Sequence, residues 1–112
     1  MTFDDGIVTF YSVENSAAPG DLPVKILKNP TSFYFSEEAL GITRYYEAIK
    51  ANQLIERVIA IYPGDINTNQ IAVFEDGGQY VIRMIQKEVD DFGLKFFKLS
   101  LERSGEKYEI FK

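Results

Sequence analysis

Apolar and polar residues alternate along most of the chain, the period-two pattern of strands buried on one face. Gly6–Val13 (GIVTFYSV) is rich in β-branched and aromatic residues and predicts a first strand. NSAAPGD, residues 15–21, is small, polar and full of breakers, so it predicts a loop. Leu22–Lys28 sets Leu22, Val24 and Ile26 on one face and Pro23 and Lys25 on the other. A proline cannot donate to a ladder, so Pro23 places that strand's start there or puts it at a sheet edge. Asn29-Pro30 predicts a turn before TSFYFSE, in which Phe33 and Phe35 share a face.

The second half repeats the rhythm. Gln53–Tyr62 (QLIERVIAIY) predicts a long strand, ended by Pro63-Gly64-Asp65. Ile71–Phe74 is a short strand, and Asp76-Gly77-Gly78 joins it to Gln79–Gln86 in a tight hairpin. After an acidic turn, Glu88–Gly93, Phe97, Leu99 and Leu101 face one way and Lys98, Ser100 and Glu102 the other. Ser104-Gly105-Glu106 turns the chain into Lys107–Phe111, where Tyr108 and Ile110 share a side. Short strands at this spacing predict a mainly all-β chain, one domain over 1–112, closed as a small antiparallel β-barrel or packed as a sandwich.

Glu37–Asn52 (EEALGITRYYEAIKAN) departs from the alternation. Tyr45, Ala48, Ile49 and Asn52 lie at helical spacing, while Gly41 splits the segment. The expectation is a flexible arm over 37–52 with at most one short helix near 43–52. It also holds Arg44-Tyr45-Tyr46, flanked by Leu40 and Ile42. Arginine and tyrosine are the residues of interface anchors. A tyrosine there would equally serve to cover the open end of a barrel.

Composition narrows the chemistry. The 112 residues include no cysteine and no histidine. That removes disulfides, thiolate nucleophiles, Ser-His-Asp triads and the usual zinc sites. The expectation is a protein that is not an enzyme and has no cofactor and no metal. Twelve basic against 17 acidic residues give a net charge of −5, which argues against stable nucleic-acid binding, since that draws on Lys and Arg neutralising phosphates. No apolar run approaches the roughly 18 residues that cross a bilayer, and MTFDDGIVTF is acidic where a signal peptide begins basic. No membrane association and a cytosol-like site of synthesis are expected.

Three short motifs resolve into turns. Asp65, Asn67 and Asn69 occupy positions one, three and five of a calcium loop, with Asp76 at twelve, yet Gln70 stands where an EF-hand needs glycine. An Asx-type turn accounts for them better. Asp91-Phe92-Gly93 spells a kinase magnesium motif in a chain too short to be a kinase. The carboxylate pairs Asp4-Asp5, Glu37-Glu38, Glu75-Asp76 and Asp90-Asp91 lie at strand ends. Neighbours on a strand point to opposite faces, so no pair forms an acid/base dyad by spacing alone.

Taken in order, SFYFSEE, ITRYYEAIKAN, IERVIAI, PGDINTNQIAVF, GGQYVIRMIQ and LSLER resemble the head–tail joining proteins of tailed bacteriophages, also called head-closure or stopper proteins, and their prophage relatives. The resemblance covers roughly residues 30–112. It implies a small β-barrel whose copies form a homo-oligomeric ring below the portal, close the DNA-filled head and dock the tail. The partners would be neighbouring copies and the portal or adaptor and tail proteins, with DNA only passing through. The site would be the virion's head–tail interface, after synthesis in the bacterial cytoplasm. Leu40, Ile42, Arg44, Tyr45 and Tyr46 map to the family's adaptable segment and so to the partner interface. From the residues alone, a small β-barrel binding module for a peptide or small ligand, using Arg44-Tyr45-Tyr46 as a pocket, is the alternative.

Overall fold

Seven strands carry most of the residues placed by the computed structural model, which describes residues 3–15, 20, 25–38, 55–105 and 108–110. They are β1 (Gly6–Asn15), β2 (Lys25–Glu38), β3 (Arg57–Ile61), β4 (Ile71–Phe74), β5 (Gln79–Val89), β6 (Lys95–Arg103) and β7 (Glu109–Ile110). No helix occurs among the described residues. The first six strands follow the order β1-β4-β5-β6-β3-β2, and β1 also pairs with β2, so one antiparallel sheet closes in a ring. Of the barrel and the sandwich that the strand spacing allows, the sandwich's two-sheet packing does not occur among the described residues. β7 adds to β2 in parallel, outside the ring.

The alternation read from the sequence points into the ring. Val8, Phe10, Phe35, Ile59, Ile61, Ala72, Phe74, Tyr80, Ile82, Leu99 and Leu101 form one core, with Phe33, Ile66, Ile85 and Phe97 packed on it. Phe10, Ile59, Leu99 and Leu101 are fully buried. At about 1.5–3 kcal/mol for each large apolar side chain removed from water, this core supplies much of what offsets chain entropy. The aromatics meet edge to face: Phe35 and Phe74 at 5.1 Å, Phe74 and Tyr80 at 5.3 Å, Phe10 and Phe33 at 5.6 Å. That geometry sets positive ring edges on negative faces.

The Asn29-Pro30 turn is corrected by the structure. β2 runs through both residues, and the β1–β2 register shifts between Phe10↔Thr31 and Ser12↔Lys28, so Tyr11 alone opposes Asn29 and Pro30. This is a β-bulge. Asn29 takes φ 58°, a left-handed conformation that asparagine tolerates, and Pro30 sits where a bulge spares it a ladder donor. Beyond the bulge, Leu27, Ile71 and Val73 form a second cluster with Tyr11, Val13, Val81, Tyr108 and Ile110 on the outside of the ring. Leu27 is fully buried there. Gln79 fastens β7 over this cluster: Nε2 donates to Tyr108 O at 2.9 Å and Oε1 accepts from Tyr108 N at 2.8 Å.

Further boundaries differ from expectation: β5 runs on to Val89, through the start of the expected acidic turn. Residues 37 and 38, placed at the start of the arm, are the last two of β2 and pair with Ile59 and Val58. β3 starts at Arg57 rather than Gln53. Ser100, expected on a wet face, is 1% exposed. It lies opposite Val58, itself buried on the outside of β3 against Ile55, and its Oγ finds no hydrogen-bond partner among the described residues.

Candidate functional site

β1 starts, β2 and β4 end, and β3 starts, at one mouth of the ring. Arg57 opens β3 on the same face as Ile59 and Ile61, so its side chain enters that mouth. Its guanidinium carbon stands 3.6 Å from the centroid of the Phe74 ring, 5.5 Å from Tyr80 and 5.7 Å from Phe35. Nη2 donates to Glu37 Oε1 and closes an ion pair. The arginine thus plugs the mouth with its guanidinium over the aromatic rings and paired with Glu37.

Carboxylates from three of the sequence pairs meet here, and those of Asp5, Glu75 and Asp76 cap backbone. Asp5 Oδ2 accepts from Glu37 N at 2.7 Å, and Glu75 Oε1 accepts from Ile7 N at 2.6 Å. In the β4–β5 hairpin, Asp76 Oδ1 accepts from Gly78 N at 2.8 Å, and Gly77 takes φ 87°. Asp5, Ile7, Phe35, Arg57, Phe74, Glu75 and Asp76 border a shallow cleft of about 200 Å³. Beside it, Arg103 donates to Glu56 Oε2 at 3.2 Å and to Tyr80 Oη at 3.0 Å. The Glu56 bond, reinforced by the field of Tyr80, raises the pKa of this exposed guanidinium above its ordinary value. A cleft of about 440 Å³ between this residue and the Gly77-Gly78 turn is walled by Gln79, Ser104 and Gly105.

The opposite end carries a different feature. β5 and β6 pair from Tyr80↔Arg103 to Val89↔Lys95, whereas β4 covers β5 only as far as Val81. The hairpin therefore runs on past its β4 neighbour. At its tip Asp90 Oδ1 accepts from Phe92 N at 2.9 Å and Leu94 N at 2.8 Å, and Gly93 takes φ 83°. The Asp90 carboxylate fixes this turn, which leaves Phe92 91% exposed and Val89 59% exposed. Fully exposing a phenylalanine forgoes about 1.5–3 kcal/mol of burial, so an ordered turn that presents one is a candidate contact point.

Asp91-Phe92-Gly93 is accordingly a hairpin tip. The Asp65 segment folds on its own side chains: Asn67 Oδ1 accepts from Asn69 N at 2.9 Å, an Asx turn, and Gln70 Oε1 accepts from Asn67 N at 2.9 Å. The predicted interface residues Leu40, Ile42, Arg44, Tyr45 and Tyr46 lie outside the described residues. Reading by sequence missed Arg57, although a lone charge in phase with Ile59 and Ile61 was its signal. It also missed Phe92, whose exposure no local pattern marks. Comparison with protein-family models and with curated protein sequences finds no match for the chain.

Proposed function

We propose that the chain is a non-catalytic assembly subunit: a small β-barrel that joins head and tail in the particle of a tailed bacteriophage or prophage. The observation that carries an assembly role is the β5–β6 hairpin, with Phe92 91% exposed on a turn held by Asp90. The head–tail role itself rests on the sequence resemblance over residues 30–112. The ring interior is filled by side chains, which favours contact through the outer surface over the binding-module alternative. A net charge of −5 suits a channel that must let DNA pass without holding it.

Genetic removal with add-back tests this. Particles made without the chain should accumulate as unjoined heads and tails, and purified chain should restore joined, infectious particles. Normal particle yield in its absence would reject the reading.

A further inference from the structure

We infer that the open edge of β5 beyond Val81 takes an extended acidic segment of a partner protein as an added antiparallel strand, with a carboxylate set opposite Lys87. The inference deepens the assembly reading by naming the partner's chemistry, and rests on it only for the partner's place on the particle. β4 covers β5 as far as Val81, while β6 follows β5 to Val89 on its other side. Asp90 N donates to Leu94 O at 2.9 Å. That bond fixes the phase of the ladder, because antiparallel partners exchange hydrogen bonds at every second residue. Glu88, Gln86 and Met84 therefore bond to β6, and the N–H and C=O groups of Ile85, Lys87 and Val89 point to the uncovered side. No strand pairs with them there among the described residues. Such a row of outward backbone groups is the template on which strand addition works.

The side chains of the same residues say what that strand carries. Ile85, Lys87 and Val89 share the face of β5 that continues the ring's lining, opposite Leu99, Phe97 and Lys95 of β6. Lys87 Nζ stands 5.8 Å from the centroid of the Phe97 ring. Lys87 and Lys95 are both exposed and are diagonal neighbours on this face, about 7–8 Å apart at the backbone. Neither has an ion-pair partner among the described residues, in a chain where acidic residues outnumber basic ones by 17 to 12. The hairpin's own carboxylates are engaged elsewhere: Glu88 pairs with Lys98 at 3.5 Å, Glu102 with Arg83, and Asp90 caps the turn. Opposite charges directly across two strands attract and like charges repel, so the residue facing Lys87 is an Asp or Glu. The residues two positions to either side face Ile85 and Val89. They are apolar, because Val89 is 59% exposed and an apolar neighbour removes it from water. The segment therefore reads apolar-x-acidic-x-apolar. A phosphate chain would meet the lysines but leave the backbone row unbonded, which favours a polypeptide over a nucleic acid.

The test uses the full chain and an end-blocked synthetic peptide, Thr-Val-Thr-Glu-Thr-Val-Thr, beside a second peptide with lysine in place of the glutamate. In the free chain, amide exchange read by NMR should be fast at Lys87 and Val89 and slow at Gln86 and Glu88, and the glutamate peptide should slow the first pair. Lys87→Glu should weaken binding of the glutamate peptide about tenfold and prefer the lysine peptide. Val89→Pro removes an outward N–H and leaves the ladder to β6 intact. It should weaken the glutamate peptide about tenfold with β circular dichroism unchanged. Protection at Lys87 and Val89 already present in the free chain, or none gained at millimolar peptide, overturns the inference. So does an equal affinity of wild type and Lys87→Glu for the two peptides, which would leave the lysine a guard against edge-to-edge pairing. If the peptide binds but particles join normally without the chain, the connector role falls and the strand site stands. If joining needs the chain and the peptide protects nothing, this inference alone falls.

Discussion

Replacing Arg57 by alanine removes the plug from the ring's mouth, and its cost follows from what the side chain touches. The guanidinium sits 3.6 Å from the Phe74 centroid, a cation–π contact of about 1 kcal/mol when partly desolvated. The side chain is 22% exposed, and each buried methylene contributes about 0.8 kcal/mol. The ion pair adds least. The Arg57 and Glu37 side chains are 22% and 42% exposed, so water screens them to roughly 0.5 kcal/mol. Arg57→Ala should therefore lose about 2–3 kcal/mol, a fall in melting temperature of about 8–12 °C for a domain of this size. Arg57→Met keeps the stem and lays a polarisable sulfur on the rings, so it should lose less than about 1.5 kcal/mol. Thermal denaturation followed by circular dichroism reads both. If Arg57→Ala melts within about 2 °C of the wild type, or Arg57→Met falls as far as Arg57→Ala, the aromatic seat is not what stabilises the mouth.

Three other substitutions probe separate contacts. A Cβ on Gly64 would lie 2.5 Å from Phe33 Cζ, so Gly64→Ala must push that ring toward Phe10 and should cost about 1–3 kcal/mol in urea unfolding; an unchanged midpoint would show that the ring yields freely. Asn29→Val should cost about 1–2 kcal/mol more than Asn29→Gly, because only the latter accepts φ 58° without strain. Equal stabilities would remove the bulge conformation as the cause. Gln79→Ala deletes both bonds to the Tyr108 backbone, so amide exchange at Tyr108 should accelerate while Leu99, deep in the ring, keeps its protection. Retained protection at Tyr108 would mean that β7 is held by something else.

How legible this was in the sequence depended on how local each feature is. β6 stood out because its inward residues Leu99 and Leu101 alternate with Lys98, Ser100 and Glu102, and β5 because a tight turn joins it to β4. Ring closure did not, because β1 must find β4 some 60 residues away and alternation carries no partner identity. Asn29-Pro30 misled because a turn and a bulge use the same residues; only the unbroken β1 opposite tells them apart. Arg57 was hidden by the rule that inward positions are apolar, which fails at a strand end opening on a mouth. Three carboxylates converge there, each from a different pair: Asp5 just before β1, Glu37 on β2 and Glu75 just after β4. Phe92 was legible as part of an acidic turn but not as a contact point, and the turn around Asp90 shows it pointing to solvent.

The proposed role as a head–tail connector is tested most directly by where the chain sits on the particle. Heads isolated before tail attachment, carrying a tagged copy of the chain and labelled with gold for electron microscopy, should show label at a single vertex, the one that bears the portal. Label spread over the whole shell, or absent from heads that go on to accept tails, would contradict the account.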